Sequence, residues 1–455
     1  MKKGRTITAP ARELPVIAEG DVVVVGGGNA GFVAAIAAAR AGARTILIER
    51  YGYLAGCLTA TYSTTPGFFG DSEGDRIIGG IGWEFVERME AAGAALVDRD
   101  WWTVQIMPEA AKSVALEMIL EAGVELYLHA WAADVVLREH ALEGVVTESK
   151  SGRQVIAGKA FVDASGDADL AYLAGAPTEL LPADQLWQTS VDLTVCNVDA
   201  RRVVQWIQDN PDRTVWLSMP ADLDAPGLHP MVSVIVKESG DAPAGASPAL
   251  HHGPVPTIKL MLEPSISRVQ GSVEINGTDV RALTWAEIEA RRRALQHLAY
   301  LKATVPGYEK AVIVAESHLG VRETRRIVGD YVLTLNDLRS NARFADVVAL
   351  NSRPLDRHLK GDAFQFEMFM GHHDIPLRAL LPRDVDNLLV AGRAISCDHE
   401  SHASLRGAAT CLATGHAAGA AAALTAAGNG RARDIDIGKL QELLLEQGAI
   451  LRAGA

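Results

Sequence analysis

Cysteine is scarce in this chain of 455 residues: four, at positions 57, 196, 397 and 411, with no CxxC pair and no zinc-type spacing. That argues against a disulfide framework or a structural metal and fits a reducing compartment. No basic run of the kind that binds nucleic acid is present either, and the formal net charge is −13. A nucleic-acid polyanion is therefore not an expected partner, because phosphate binding draws on grouped cations. The acidic balance reads most simply as solubility. Long apolar runs are also lacking. The most apolar stretches, Val22–Val25 and Ala34–Ala39, are separated by a glycine cluster, and neither approaches the roughly 20 residues of a membrane span. The start, MKKGRT, runs into Pro10 and charged residues without an apolar stretch before a cleavage site. A cytoplasmic location is the expectation.

What is present is an ordinary globular mixture, 48% hydrophobic and 22% charged, at a length that favours two or three domains. Residues 21–50 are the most legible. DVVVV is a short apolar run of the kind buried on both faces of a parallel sheet. GGGNAG and an Ala-rich helical stretch follow, ending near Gly42, and RTILIER reads as a second buried strand. Together they form a βαβ unit. Helices are expected near Trp83–Ala95 and Pro108–Ala122, strands near Val124–Ala130, Asp134–Glu139 and Gly144–Glu148, and a strand, sharp turn and helix in KAFVDASGDADLAYLAGA. From about 181 to 370 the pattern shifts to longer loops and alternating segments, interrupted by a charged helix from Trp285 to about Val305. This helix is read as structural, with Leu, Ala and Tyr packed inward. After 375 the α/β character returns.

Gly26, Gly28 and Gly31 satisfy GxGxxG. The first suits a tight turn out of the strand, the second lets a pyrophosphate approach the backbone, and the third lets helix and strand pack closely. Glu49 ends the second strand, where a carboxylate accepts from ribose hydroxyls and repels a 2′-phosphate. The adenosine is thus that of FAD or NAD rather than NADP. Three further segments bear on that choice. NLLVAGR (Asn387–Arg393) is a second apolar strand ending in Ala-Gly-Arg. RGAATCLATGHAAG passes from loop to helix at Arg406–Gly419, and its helix start can face a pyrophosphate or flavin edge. DASGD (Asp163–Asp167) carries a Gly-Asp step expected where a backbone comes close to a cofactor.

With these stretches in their order, and with LIERYGYLAG, GVRETRRIVGDYVLT, IPLRALLP and SLRGAATCLATGHAAGAAAAL, the sequence resembles the FAD-dependent oxidoreductase family. That family is related more distantly to the succinate dehydrogenase and fumarate reductase flavoproteins. The resemblance runs from about 21 to 425 and is weak from about 181 to 310. It implies FAD and a glutathione-reductase-type fold: an α/β, Rossmann-like FAD-binding domain with a three-layer, mainly parallel sheet and an inserted α+β substrate or cap domain. The expected division is 1–180 and 371–455 for the FAD-binding domain, with 181–370 as the insertion. Implied FAD contacts are Gly26, Gly28, Gly31, Glu49, Arg50, Asp167 and Gly392. The candidate cofactor set also takes in Asn29, Ala30, Gly56, Cys57, Arg393, Arg406 and Thr410. No second GxGxxG follows a strand, so a separate NAD(P)H domain is not expected. Ala55-Gly56-Cys57 stands where the family commonly has a glycine pair, and Cys57-Leu58-Thr59 offers no His for covalent attachment. The flavin is expected to be non-covalent.

Flavin supplies redox chemistry while the protein orients substrate and moves protons. His402 and His399, in CDHESHASLR, are the leading acid/base candidates. His372 and His373 form a second pair, of which only one can face a substrate from an extended chain. Arg322, Arg325 and Arg326 are candidate anion ligands, with internal pairing to Glu323 or Asp330 as the competing role. Cys57 without a nearby partner reads as a small hydrophobe, and no set of residues is spaced as a metal site. The expected function is a dehydrogenase or oxidase that removes hydride from a small polar molecule at a CH–OH or CH–CH group. The alternatives are a flavin monooxygenase using NAD(P)H and oxygen, and a flavoprotein subunit passing electrons to a partner; an NAD-only Rossmann enzyme is disfavoured. The sequence names neither the substrate nor the electron acceptor, and it leaves open whether the chain forms a homo-oligomer.

Overall fold

In a computed structural model, residues 6–8, 10–218, 232–236, 249–252, 257–262, 265–268, 271–358 and 364–452 are described. The central sheet is five-stranded and wholly parallel. Its order is Leu388–Val390, Ala160–Asp163, Val22–Val25, Thr45–Ile48 and Glu125–Tyr127. Strands from both ends of the chain build this one sheet, as the pattern of the two apolar runs implied. Its residues alternate between two cores. Val22, Val24, Leu47, Val162 and Leu389 face the helices, while Val23, Val25, Ile46, Phe161 and Leu388 face the opposite layer. This is the period-2 rule acting on strands with no solvent face, and it is why they read as unbroken apolar runs.

The helical layer holds Asn29–Arg40 and Ala408–Ala427, which meet backbone to backbone at Gly415 and Gly419, and the glycine loop is packed as tightly. A methyl group built on Gly31 would lie 1.6 Å from the Gly26 carbonyl oxygen, and one on Gly26, at φ +94°, would lie 2.4 Å from that of Ala164. Both glycines are therefore obligatory. The third layer is a sheet ordered Val16–Glu19, Gly152–Ala157, Ala141–Ser149 and Trp131–Arg138. Two of these strands, Val16–Glu19 and Gly152–Ala157, were not expected from the sequence.

Between Thr189 and Glu316 lies an antiparallel six-stranded sheet: Thr214–Ser218, Val232–Val236, Ala249–His252, Thr257–Leu262, Thr189–Cys196 and Val312–Glu316. The helix Val280–Thr304 covers it with Ala286, Ala290, Ala294, Leu298 and Leu301. It begins five residues before the expected Trp285 because Asp279 caps it, accepting from the Arg281 and Ala282 amides. Leu295 points to solvent rather than inward. Val347, Leu350, Leu355 and Ile375 join the core of the nucleotide-binding unit. Residues 347–355, expected within the 181–370 insertion, thus pack onto the parallel sheet instead. Among the described residues no helix is long and apolar enough to cross a membrane.

Candidate active site

A cleft of about 830 Å³ runs along the C-terminal ends of the parallel strands, the place where open α/β sheets bind ligands. Two helix N-termini open onto it. Gly28 precedes Asn29–Arg40 and Gly407 precedes Ala408–Ala427; neither helix has a side-chain cap or an acid in its first turn. The Ala409 amide donates to the Pro66 carbonyl at 3.0 Å; the remaining first-turn amides leave two patches of partial positive charge facing the cleft.

The glycine loop is held from behind. Glu49 is buried, and its carboxylate accepts from the Gly27 amide at 2.6 Å and the Tyr51 amide at 2.8 Å. Burial pushes its pKa up, and those amides partly offset the shift. Asp163, fully buried, shapes the second loop by accepting from the Ser165 amide and hydroxyl and from the Ala171 amide. This turn delivers Asp167 to the cleft. Burial raises the Asp167 pKa, but Arg393, the Thr324 hydroxyl and Arg50 outweigh it and leave the carboxyl below its ordinary value. Arg393 ties the loops together, donating to the Gly166 carbonyl at 2.6 Å, to Asp167 at 2.6 Å and to the Val321 carbonyl.

Gly56, at φ +49°, passes so close to Gly28 that a Cβ would lie 2.8 Å from the Gly28 Cα. Ala55 takes φ +68°, a left-handed conformation in which a second glycine would be unstrained. The Asn29 side-chain nitrogen Nδ2 donates to the Cys57 sulfur at 3.0 Å, and its Oδ1 is buried with no hydrogen-bond partner among the described residues. At another part of the cleft the Arg50 guanidinium lies over the rings of Tyr51, at 4.9 Å, and Trp131, at 5.1 Å.

The cleft is lined by Gly28, Asn29, Ala30, Arg50, Gly56 and Cys57, and also by Asp167, Arg322, Gly392, Arg393 and Arg406. Gly26, Gly31, Glu49 and Thr410 stand behind its wall. Thr410 donates to Asn351 at 2.5 Å instead of facing the cleft.

The four candidate histidines lie elsewhere. His402 is 1% exposed, its Nε2 lies 3.1 Å from the Arg393 carbonyl oxygen, and burial holds its pKa well below the ordinary value. His399 stacks on Trp187, with ring centroids 4.0 Å apart, and its Nδ1 meets Glu323 at 2.9 Å. His372 Nδ1 meets Asp71 at 2.8 Å, and His373 Nε2 meets Asn351 at 3.1 Å. Each is engaged in holding loops. Of the three arginines, Arg326 is buried against Glu323 and Glu179, and Arg325 pairs with Asp169. Only Arg322 reaches the cleft.

Sequence reasoning missed several side chains on the cleft wall, among them Arg353, Asp356, His358 and a second histidine, His318. In the strand Leu355–His358, Asp356 and His358 are half-buried on one face while Leu355 and Arg357 are buried on the other. The alternation is one of burial and not of residue type, since Arg357 is buried with Leu355, so LDRH itself carried no signal. His358 Nε2 lies 2.7 Å from Asp356 Oδ1. Burial, then Arg322, lowers the His358 pKa to about 3, so the ring is neutral at neutral pH. In a neutral ring held this way Nε2 is the donor and Nδ1 carries the lone pair.

Residues 21–444 match the FAD dependent oxidoreductase family, and the chain belongs to it. It is an FAD-dependent enzyme, and the uncapped helix starts, the Asp167–Arg393 pair and the Arg50 platform are residues that fit such a dinucleotide. No curated protein matches. Among solved structures, a geranylgeranyl bacteriochlorophyll reductase-like protein from Thermoplasma acidophilum is similar at 13% identity and TM-score 0.46, over 95% of this chain and 84% of that one. A flavin-dependent brominase aligns at 14% identity and TM-score 0.46, over 90% of this chain and 80% of that one. A p-nitrophenol 4-monooxygenase from Pseudomonas putida DLL-E4 aligns at 14% identity and TM-score 0.42, over 94% and 84%.

Proposed function

We propose that this enzyme removes hydride from a small polar substrate at a CH–OH group, with His358 taking the hydroxyl proton. The observation that carries this reading is the His358–Asp356 pair on the cleft wall, a neutral imidazole oriented by a carboxylate. Bound FAD supplies the two-electron acceptor. Gly28, Asn29 and Ala30 at one helix start, with Asp167 and Arg393, would hold the dinucleotide, and Gly407 and Ala408 present the second amide-rich helix start to it. Asp356 fixes the His358 ring and stabilises the imidazolium once the proton has arrived. The histidines first singled out, His402, His399 and His372, are assigned to holding the loops around the cleft.

The purified protein is expected to show bands near roughly 370 and 450 nm and to release FAD on heating. Anaerobic addition of a suitable alcohol should bleach the 450 nm band without NAD(P)H. A second reading rests on Gly166-Asp167 facing the cleft: a monooxygenase, which needs NAD(P)H and places oxygen from labelled dioxygen in its product. Substrate that leaves the flavin oxidised until NAD(P)H is added, with label in the product, would replace the first reading by the second.

A further inference from the structure

We propose that the cleft takes a substrate bearing one carboxylate group, held by Arg322, Arg353 and Arg406. The inference rests on the hydride-removal reading for its chemistry and names the class of molecule that enters. The three arginines come from separate segments and share one end of the cleft. Arg353 meets Asp356 at 2.8 Å, and Arg406 meets the same carboxylate at 3.2 Å and the Asp356 carbonyl at 2.8 Å. Arg322 donates to the Gln188 carbonyl at 2.7 Å and feels the charges of Asp356 and Asp192. The other nearby carboxylate, Glu323, is held by Arg326 and His399.

Among the described residues these three guanidiniums face two carboxylates, Asp356 and Asp192, one positive charge more than negative. Burial lowers the Arg406 pKa to about 9, with Asp356 and Glu323 opposing the shift and Arg353 and Arg322 adding to it. Its Nε is buried without a partner. An uncompensated buried charge is costly, and a ligand with one negative charge removes the cost where a dianion would reverse it. Planar guanidinium forks match a carboxylate at two points. The same charge has a consequence for His358. Arg322 is part of what holds its proton affinity down, so a carboxylate bound at Arg322 weakens that field and strengthens the base when substrate is present.

The test uses the FAD-loaded enzyme and three acids, acetate, glycolate and benzoate, each against its neutral amide. Binding is followed by calorimetry and by the shift of the flavin spectrum. At least one acid is expected to bind on the order of 10- to 100-fold more tightly than its amide, the range of a hydrogen bond to a charged group. Arg322→Gln should abolish that preference while leaving the FAD content unchanged, and Arg322→Lys, which keeps the charge, should retain part of it and covers the case of a poorly folding Gln variant. Acids and amides binding alike, or a preference that survives Arg322→Gln, would overturn the proposal. So would loss of FAD from both Arg322→Gln and Arg353→Gln, which would give the arginines to the cofactor's phosphates. An acid that binds but never bleaches the flavin leaves the carboxylate site standing and defeats the hydride-removal reading alone.

Discussion

Gly415 lies directly against the backbone of Ala30: a methyl group on it would sit 2.1 Å from the Ala30 carbonyl oxygen. Gly419, one helical turn on, stands in the same relation to Ala34, at 2.0 Å. The helix Ala408–Ala427 therefore sets the height of the first turn of the glycine-loop helix. Gly415→Ala must push the two helices apart, at about 1–3 kcal/mol for overpacking, and displace the Asn29 and Ala30 amides from the cleft. The expected outcome is a lower thermal midpoint together with weaker FAD retention on gel filtration. Gly428→Ala, at the far end of the same helix with its nearest neighbour at 3.2 Å, should release no FAD. Equal retention by wild type and Gly415→Ala would show that the crossing does not position the site.

The parallel sheet and the glycine loop were legible because local rules settle them: apolar strands buried on both faces, glycines where backbone meets backbone, and Glu49 at a strand end. The histidines were not. CDHESHASLR is polar and adjoins the cleft, yet Asp398 caps a helix there by accepting from the Ser401 amide. That cap turns His402 into the interior, where burial rather than substrate determines its state. Conversely, Asp356 and His358 reach the cleft only because residues 347–355 fold back onto the core of the parallel sheet, a long-range event that no local spacing reveals.

His358→Gln should slow anaerobic flavin reduction by roughly 10²- to 10⁴-fold, the usual contribution of general base catalysis, with FAD bound as in wild type. His402→Ala is expected to act differently, loosening the Arg393 loop and weakening FAD binding without a specific loss in the reduction rate of the fraction that stays loaded. Rapid-mixing spectrophotometry on both variants separates the roles. A His358→Gln enzyme reducing at the wild-type rate would remove that residue from the chemistry.

Asn351 is a buried hub. Its amide nitrogen reaches Ser404 at 2.8 Å and His373 at 3.1 Å, and its carbonyl accepts from Thr410 at 2.5 Å. Ser404 in turn donates to the Arg353 carbonyl. One amide thus couples an arginine of the cleft to the first turn of the helix Ala408–Ala427. Asn351→Leu strands several buried polar groups, on the order of 1–3 kcal/mol for each left unsatisfied. Denaturant unfolding should register that loss, and the variant should also bind FAD more weakly. Wild-type stability in Asn351→Leu would mean that the network is not a structural support.

Acid should weaken the fold before most carboxylates titrate. Burial holds His358 and His373 to about 3, His416 to about 4 and His402 well below its ordinary value. A histidine whose folded pKa is depressed contributes stability that is complete above the unfolded value, near 6.5, and is lost as pH falls toward the folded value. Between pH 6.5 and 5 each such ring is protonated only in the unfolded chain, and each removes up to about 1.4 kcal/mol per pH unit. His416 is the cleanest test, because its Nε2 contacts Gln447 at 2.8 Å and it lies outside the cleft. In urea unfolding of the apoprotein across that window, His416→Asn should give a shallower slope by close to one proton. Parallel slopes for variant and wild type would mean that His416 does not stay neutral in the fold, and the acid sensitivity would have to come from other groups.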